Sequence, residues 1–166
     1  MNVGPYTCAD PPNDYKFTEF KDTWARNASL LFIDNPIGAG FSYGERDNDK
    51  ITSDYSYRRD IMKFIQTFYS YWPTLASNPL YIFGVSYGGV FGPTLAHAIH
   101  LHNLEVAMNL TQPHINLKGF IAANGVTDYN TDPYVTTWES ANNYNIISNE
   151  FFEKYEKAGC RMSVVS

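Results

Sequence analysis

Short apolar runs alternate with amphipathic stretches along this chain. Three runs of four apolar residues stand out, at residues 30–33, 80–83 and 120–123. Each run is continuous, without alternation of polar and apolar positions, which is typical of strands buried on both faces of a parallel sheet. Turn-forming Asn, Asp, Pro or Gly residues follow each run. The pattern therefore predicts three central strands.

The segments between these runs have the periodicity of helices. Apolar residues between positions 57 and 72 recur on one helix face, and Pro73 is expected to end that helix. A second helix follows the middle run, and Pro93 near its start predicts a kink or a restart. The first helix is predicted from Tyr57, Ile61, Phe64, Ile65, Phe68 and Trp72, and the second is predicted from Leu95, Ala96, Ile99 and Leu101. Strands that alternate with helices in this order indicate an α/β fold.

The last forty residues follow a different pattern. Aromatic and aliphatic residues from Trp138 to Phe152 have polar spacing that favours short helices over another sheet strand. We therefore expect one partial α/β domain over residues 1–166. Within it, about residues 126–166 are expected to begin a helical insertion that covers the site, here called the cap.

Composition and charge narrow the classes of function. The chain has 166 residues, enough for one domain with a hydrophobic core. Its net charge of −5 argues against nucleic acid as a partner, because phosphate binding needs clustered Lys and Arg. No stretch approaches the roughly 18 apolar residues of a transmembrane helix, and the first residues lack the pattern of a signal peptide. Oligomeric state stays open.

No metal and no cofactor are expected. The sequence has no H-x-x-x-H or C-x-x-C spacing, no EF-hand loop and no phosphate-binding Gly-rich loop. Cys8 and Cys160 allow one disulfide without requiring it. Asn27 and Asn109 each begin an N-glycosylation sequon, which is compatible with a glycoprotein.

The chemistry is carried by residues 84–88, Gly-Val-Ser-Tyr-Gly, which fit the pattern G-x-S-x-G. The pattern follows a predicted strand and precedes a predicted helix, which is the context of a nucleophile elbow. The turn is tight, so flanking positions must be small where backbone elements approach closely. We predict that Ser86 is the catalytic nucleophile. The N–H of Tyr87 and the dipole of the following helix are then expected to stabilise an oxyanion.

An activated serine also needs a base and an acid that orients it. Three of the four histidines lie along the helix after the elbow, and even His97 is expected roughly 16 Å along the helix axis from Ser86. His114 precedes the third run, so it is expected at the opposite end of the sheet from the site. Asp128 follows that run at the correct end, where it is either an acid or a turn residue. The triad is therefore predicted to be incomplete in this chain.

Three segments resemble the serine carboxypeptidase family of α/β-hydrolases. Residues 34–43, D-N-P-I-G-A-G-F-S-Y, look like the family's D-(S/N)-P-x-G-x-G-(F/Y)-S-Y. Residues 84–89, G-V-S-Y-G-G, look like its G-E-S-Y-(A/G)-G, and residues 116–128 resemble its N-L-K-G and G-N-x-x-T-D segments. The segments occur in family order over nearly the whole chain. The resemblance implies a central fragment of an α/β-hydrolase, with a partial parallel sheet, flanking helices and the start of the helical cap.

The resemblance also implies an activity. Members are serine-type carboxypeptidases that release C-terminal residues from peptides through an acyl-enzyme, in lysosomes or vacuoles or outside the cell. Ser86 is then the nucleophile, and the N–H of Tyr87 is half of the oxyanion hole. The other half is expected in a Gly-rich segment upstream, and the catalytic Asp and His are expected downstream, all outside this chain.

Two positions depart from the family's substrate-binding pattern. The family has a Glu directly before the nucleophile, where this chain has Val85, and another Glu before x-G-P, where this chain has Asn2. Protonated carboxyl groups there would donate hydrogen bonds to the C-terminal carboxylate of the substrate. Val85 has no side-chain donor, whereas Asn2 donates without titrating. Each lost donor is expected to cost about 1.5–3 kcal/mol of substrate binding.

Two alternatives therefore stand beside a carboxypeptidase. The first keeps the fold and the acyl-enzyme but changes the substrate, giving an esterase or an acyltransferase. The second is a catalytically dead, truncated fragment that lacks the triad Asp and His.

Overall fold

The computed structural model describes residues 3–8, 16–109, 113–128 and 132–159. The chain divides into two units, Met1–Lys50 and Ile51–Ser166. The strands are β1 (Tyr6–Cys8), β2 (Phe17–Glu19), β3 (Leu80–Val85) and β4 (Leu117–Ala123), and the α-helices are α1 (Asp54–Tyr71), α2 (Gly88–Asn109), α3 (Pro133–Asn143) and α4 (Asn149–Lys157). Single 3₁₀ turns lie at Trp24–Arg26, Asp47–Lys50 and Pro73–Leu75.

The first unit contains an antiparallel pair that the sequence analysis missed. Strands β1 and β2 pair with Thr7 opposite Thr18, and the two threonine hydroxyl oxygens lie 2.7 Å apart. Such cross-strand pairs stabilise a ladder. Three-residue strands are too short for their periodicity to be diagnostic, which explains the omission.

One predicted strand is wrong. The structure assigns no strand to residues 30–33, although the run is as apolar as the other two. Leu31 and Phe32 are exposed. A strand is assigned only where the backbone forms hydrogen bonds with an adjacent strand. An apolar run does not show whether such a partner strand is present, which explains the wrong prediction.

Residues 34–43 form a loop that folds around the side chain of Asp34. The Asp34 carboxylate accepts a hydrogen bond from the N–H of Phe41 at 2.8 Å, and the hydroxyl of Ser42 donates to the Asp34 carbonyl at 2.6 Å. Gly40 has a φ of 53°, and a Cβ at this position would overlap the Asp34 carboxyl group. The Asp, Gly and Ser of this segment are therefore explained by local structure.

The second unit contains the predicted parallel sheet. Strands β3 and β4 are parallel, and their register pairs Ile82 with Phe120 and Val85 with Ala123. Helix α2 connects the two strands and contacts both of them. Two of the three predicted strands and the α/β arrangement are thus confirmed.

Helix α1 also confirms its prediction. It begins after Ser53, whose side chain forms a reciprocal capping box with Ser56, and it ends at Tyr71, just before Pro73. The buried members of the predicted face are Tyr57, Ile61 and Ile65.

Helix α2 differs from its prediction in two ways. It is continuous through Pro93, so the predicted restart is not observed. Pro93 cannot donate a hydrogen bond to the carbonyl of Gly89, and its ring crowds that carbonyl, but the helix continues on both sides of it. The buried stripe consists of Leu95, Ile99 and Val106, whereas Leu101 is 44% exposed. Leu101 was therefore assigned to the wrong face.

The best-protected part of the core joins α2 to the segment before β4. Ile99 is 0% exposed and Ile115 is 1% exposed. Asn103 fixes Ile115 with two hydrogen bonds, because its amide nitrogen donates to the Ile115 carbonyl at 2.8 Å and its amide oxygen accepts from the Ile115 N–H at 2.9 Å. The Asn103 side chain thereby pairs the buried N–H of Ile115, and it adds a second donor to the Ile115 carbonyl, which also accepts from the N–H of Leu117 at 2.8 Å.

The C-terminal segment forms helices, as its spacing predicted. Helices α3 and α4 contact each other, and the ring of Trp138 lies 6.0 Å from that of Phe151 and 5.4 Å from that of Tyr155. Ser148 caps α4 by accepting from the N–H of Phe151. The assignment of this region to a cap, like that of residues 1–166 to a single domain, stays a prediction.

The core geometry predicts a large loss of stability for Ile99→Ala. Removing a fully buried isoleucine is expected to lower the free energy of unfolding by about 2–5 kcal/mol, because a cavity remains. Leu101→Ala, two residues along the same helix, is the matched control and should cost well under half as much. Denaturant unfolding followed by circular dichroism measures both, and equal losses would contradict this placement of the core.

Candidate active site

The structure places Ser86 between β3 and α2, as the motif predicted. Val85 is the last residue of β3, and α2 begins at Gly88. Ser86 is exposed, so its hydroxyl is accessible at the carboxyl end of the strand. This is the edge at which open parallel sheets bind their ligands.

The backbone of Ser86 lies in the left-handed region. Its φ is 58°, a conformation that costs an L-residue with a Cβ about 1–2 kcal/mol. Three main-chain hydrogen bonds hold it: the Ser86 N–H donates to the carbonyl of Ala123 at 3.1 Å, and the Ser86 carbonyl accepts from Gly89 at 3.0 Å and from Val126 at 2.9 Å. The strain and its fixation are the geometry of a nucleophile elbow.

The glycines around Ser86 do not all serve the same purpose. A Cβ on Gly84 would lie 2.6 Å from the Cα of Gly88, and one on Gly89 would lie 2.8 Å from the backbone of Gly125. Around Gly88 itself, a Cβ would meet nothing within 4 Å. Gly84 and Gly89 are therefore required by close backbone approach, whereas Gly88 is not.

The loop after β4 supports the elbow from the other side. Asn124 has a φ of 47°, and a Cβ on Gly125 would lie 2.9 Å from the Cα of Gly89. The Asn-Gly pair after the third apolar run was identified as a turn and as part of a family segment. The close approach of the Gly125 backbone to Gly89 could not be predicted from the sequence.

Tyr87 is held by its side chain as well as by its backbone. Its hydroxyl donates to both carboxylate oxygens of Asp54, at 3.1 and 3.2 Å. Its ring meets that of Phe91 edge-on at 4.8 Å, and the Tyr87 carbonyl accepts from the N–H groups of Val90 and Phe91. The side chain is 38% exposed. Asp54 was not identified from the sequence, since 33 residues separate it from Tyr87.

A stacked pair of rings lies next to Tyr87. Phe91 stacks on Tyr57 with ring centroids 4.0 Å apart. Burial raises the pKa of Tyr57 to about 12, because the low-dielectric surroundings disfavour the phenolate. Tyr57 therefore stays neutral over the physiological range and acts as a packing surface.

The predicted substrate-binding residues are only partly visible. Val85 is 47% exposed, and its backbone pairs with Ala123 in the sheet. Its side chain therefore presents an apolar surface immediately before Ser86. Asn2 lies outside the described residues.

The histidines are not brought to Ser86. Among the described residues, no hydrogen bond joins any histidine to Ser86. His97 and His100 are exposed on α2, and His114 is exposed before β4. A ring nitrogen of His102 lies 3.2 Å from the carbonyl of Pro113. None of these described histidines is therefore hydrogen-bonded to Ser86, and the incomplete triad stays a prediction.

Main-chain groups of Asp128 form hydrogen bonds with Asp132. The Asp132 carboxylate accepts hydrogen bonds from the N–H groups of Thr127 and Asp128, and the Asp128 carbonyl accepts from the N–H of Asp132. The hydrogen bonds from Asp128 and Thr127 hold the pKa of Asp132 below its usual value of 3.8. The ionised Asp132 carboxylate and its hydrogen bonds therefore contribute to stability above pH 3.8. This contribution is lost as the pH falls through the lowered pKa, where the carboxylate becomes protonated. These bonds use main-chain groups of Asp128, so both interpretations of its side chain, a turn residue and a catalytic acid, stay predictions.

Two further observations hold for the part of the chain that the structure describes. No group of three or more His, Cys, Asp or Glu side chains is arranged to hold a metal ion. None of the helices there combines the length and the apolar character needed to cross a bilayer.

Comparisons with known proteins agree with this geometry. Residues 1–164 match the family model described as serine carboxypeptidase. The chain is 35% identical over 136 residues to serine carboxypeptidase-like 20 of Arabidopsis thaliana, covering 82% of this chain and 26% of that relative. It is 34% identical over 143 residues to the venom serine carboxypeptidase of Apis mellifera, covering 82% of this chain and 28% of that relative.

A solved structure has the same fold. It is that of a prohormone-processing carboxypeptidase from Saccharomyces cerevisiae, matched with a TM-score of 0.73 and 23% sequence identity over 94% of this chain and 35% of that one. The chain therefore spans about a quarter to a third of the length of these proteins.

The glycine geometry predicts opposite effects for two neighbouring substitutions. Gly89→Ala should lower the free energy of unfolding by about 2 kcal/mol or more, because its Cβ would collide with the rigid backbone of the loop after β4. Gly88→Ala should be neutral or stabilising by up to about 1 kcal/mol, because alanine favours the helix and the space is open. Denaturant unfolding of the two variants checks this pair. Similar destabilisation by both would show that the elbow is packed differently.

Proposed function

The chain belongs to the serine carboxypeptidase family, and from this premise we propose that it carries the nucleophile of a serine-type carboxypeptidase. The enzyme would release C-terminal residues from peptides and proteins. The observation that carries the proposal is the left-handed backbone of Ser86, fixed by main-chain hydrogen bonds between a parallel strand and a helix. Proteins tolerate such strain mainly where function requires it.

In the proposed reaction the Ser86 hydroxyl attacks the carbonyl carbon of the last peptide bond. The hydroxyl proton passes to a base, and the carbonyl oxygen becomes an oxyanion that the N–H of Tyr87 stabilises at the start of α2. The tetrahedral intermediate collapses, the C–N bond breaks, and the amino group of the released residue takes a proton. Water then hydrolyses the ester between Ser86 and the remaining acyl chain.

The remaining parts of the machinery are assigned by family resemblance. The base and its orienting acid are a His and an Asp in the part of the family's length that this chain does not span, and the second oxyanion donor is in a Gly-rich segment there. No metal or cofactor is needed for this reaction. The location proposed for the protein is a lysosome or vacuole or the outside of the cell, in line with a bee relative that is named as a venom enzyme.

A second candidate is an esterase or an acyltransferase with the same acyl-enzyme. The exposed apolar side chain of Val85 favours it, because this position lacks the donor that would bind a substrate's C-terminal carboxylate. A catalytically dead protein is the third candidate, and it differs from the other two in a simple chemical test.

We predict that Ser86 reacts covalently with a fluorophosphonate probe in the complete protein that carries this chain. Ser86→Ala should abolish labelling, and Ser42→Ala, which alters the hydroxyl in the loop around Asp34, should not. Mass spectrometry of the labelled peptide identifies the modified residue. An unlabelled Ser86 in the folded protein would refute the hydrolase proposal and favour the dead protein.

We further predict that position 85 controls recognition of the substrate carboxylate. Val85→Glu should raise kcat/KM for peptides with a free C-terminus by about 10- to 100-fold at acid pH, and the gain should vanish above the pKa of the new carboxyl group. Val85→Gln, which donates at every pH, should give a gain that does not depend on pH.

Peptides with a C-terminal amide are the matched control substrates. Their hydrolysis should not improve with either variant, since they have no carboxylate to bind. An equal gain on acid and amide would show that Val85 does not face the substrate's C-terminus. Wild-type turnover of simple esters without turnover of peptides would favour the esterase.

A further inference from the structure

The side chains of Asp54 and Tyr87 link the start of α1 to the turn between β3 and α2. Asp54 is the first residue of α1, and Tyr87 directly follows Ser86. The Tyr87 hydroxyl lies 3.1 and 3.2 Å from the two carboxylate oxygens of Asp54. Hydrogen bonds to an ionised acceptor are stronger than neutral ones. These hydrogen bonds connect α1 to the residue directly after the candidate nucleophile.

The Asp54 end of this contact lies at a capped helix start. The Ser53 side chain accepts from the N–H of Ser56 at 3.2 Å, and the Ser56 side chain accepts from the N–H of Ser53 at 2.8 Å. This capping box fixes the first turn of α1, and the helix dipole favours a carboxylate there. Asp54 therefore lies in a helical turn whose first residues are held by the capping box.

The Tyr87 end is restrained by the ring packing. Tyr87 meets Phe91 edge-on, and Phe91 stacks on the buried Tyr57 of α1. The Tyr87 ring is thus in contact with Phe91, and its hydroxyl is held by Asp54. A side chain restrained at both places restricts the backbone to which it is attached.

We propose that Asp54 is a positioning residue of the active site. Its carboxylate holds the Tyr87 side chain and thereby keeps the Tyr87 N–H directed at the oxyanion. This inference rests on the proposed role of Tyr87 in the oxyanion hole and extends it to a residue that does not touch the substrate.

A positioning role predicts a specific kinetic effect, a lower kcat with little change in KM, which a purely structural role does not predict. The oxyanion exists in the transition state and not in the bound substrate, so a misdirected N–H lowers kcat and leaves KM nearly unchanged. Asp54→Ala should lower kcat by about tenfold, since removing an oxyanion donor outright costs about 10²- to 10³-fold. KM should stay within about twofold of wild type.

The experiment compares five variants of the complete protein. Asp54→Ala and Tyr87→Phe each remove one partner, and the double variant removes both. Asp54→Asn keeps an acceptor oxygen and should restore most of the rate. Asp60→Ala is the control, because Asp60 lies on the same helix and pairs with Arg59. The rate constant of fluorophosphonate labelling is measured for each, together with kcat and KM on a peptide.

The two single variants should be slowed about equally, and the double variant no further, because one interaction is lost in each case. Asp60→Ala should label at the wild-type rate. A wild-type protein that labels at Ser86 while Asp54→Ala labels as fast as Asp60→Ala would overturn the positioning role alone. A wild-type protein that does not label at Ser86 would overturn the proposed function and this inference together.

Discussion

The left-handed backbone of Ser86 sets most of the requirements that its surroundings meet. An L-residue stays in this conformation only when its neighbours compensate for the strain. Here the compensation comes from three places: the end of β4 accepts its N–H, and the first turn of α2 and the loop after β4 donate to its carbonyl. The parallel pairing of β3 with β4 brings those places together. The sheet register therefore helps to build the candidate active site, although it contributes no side chain to the proposed chemistry.

The same constraint explains where glycine is needed. The motif led us to expect small residues on both sides of the serine, at Gly84 and Gly88. The structure requires glycine at Gly84 and Gly89, because their Cβ atoms would meet backbone, and leaves space at Gly88. Backbone atoms cannot move aside as a flexible side chain can. The (A/G) alternative in the family pattern at the Gly88 position has a direct physical reason in this open space.

Much of this arrangement could be predicted from the sequence, but some strands and one side-chain contact could not. The strands around residues 80–83 and 120–123, helix α1 and the position of Ser86 were predicted, because hydrophobic periodicity and turn residues report on local structure. Residues 30–33 and the three-residue strands β1 and β2 were not correctly assigned, since pairing depends on partners that local pattern does not identify. The bond between Asp54 and Tyr87 was missed for the same reason. It joins residues far apart in sequence whose types are common on any surface.

In the described part of the chain, Ser86 is held by main-chain contacts and not by side chains, and this helps to distinguish a working hydrolase from a catalytically dead protein. The elbow depends on main-chain bonds and on glycines, whereas the exposed side chain of Val85 takes part in neither. We therefore expect a substitution at position 85 to leave the backbone that holds Ser86 unchanged. A protein without catalysis would gain from a glycine in place of Ser86, since glycine adopts this conformation without the cost that a Cβ brings. A serine held in this strained conformation is therefore better explained by a retained nucleophile than by lost catalysis.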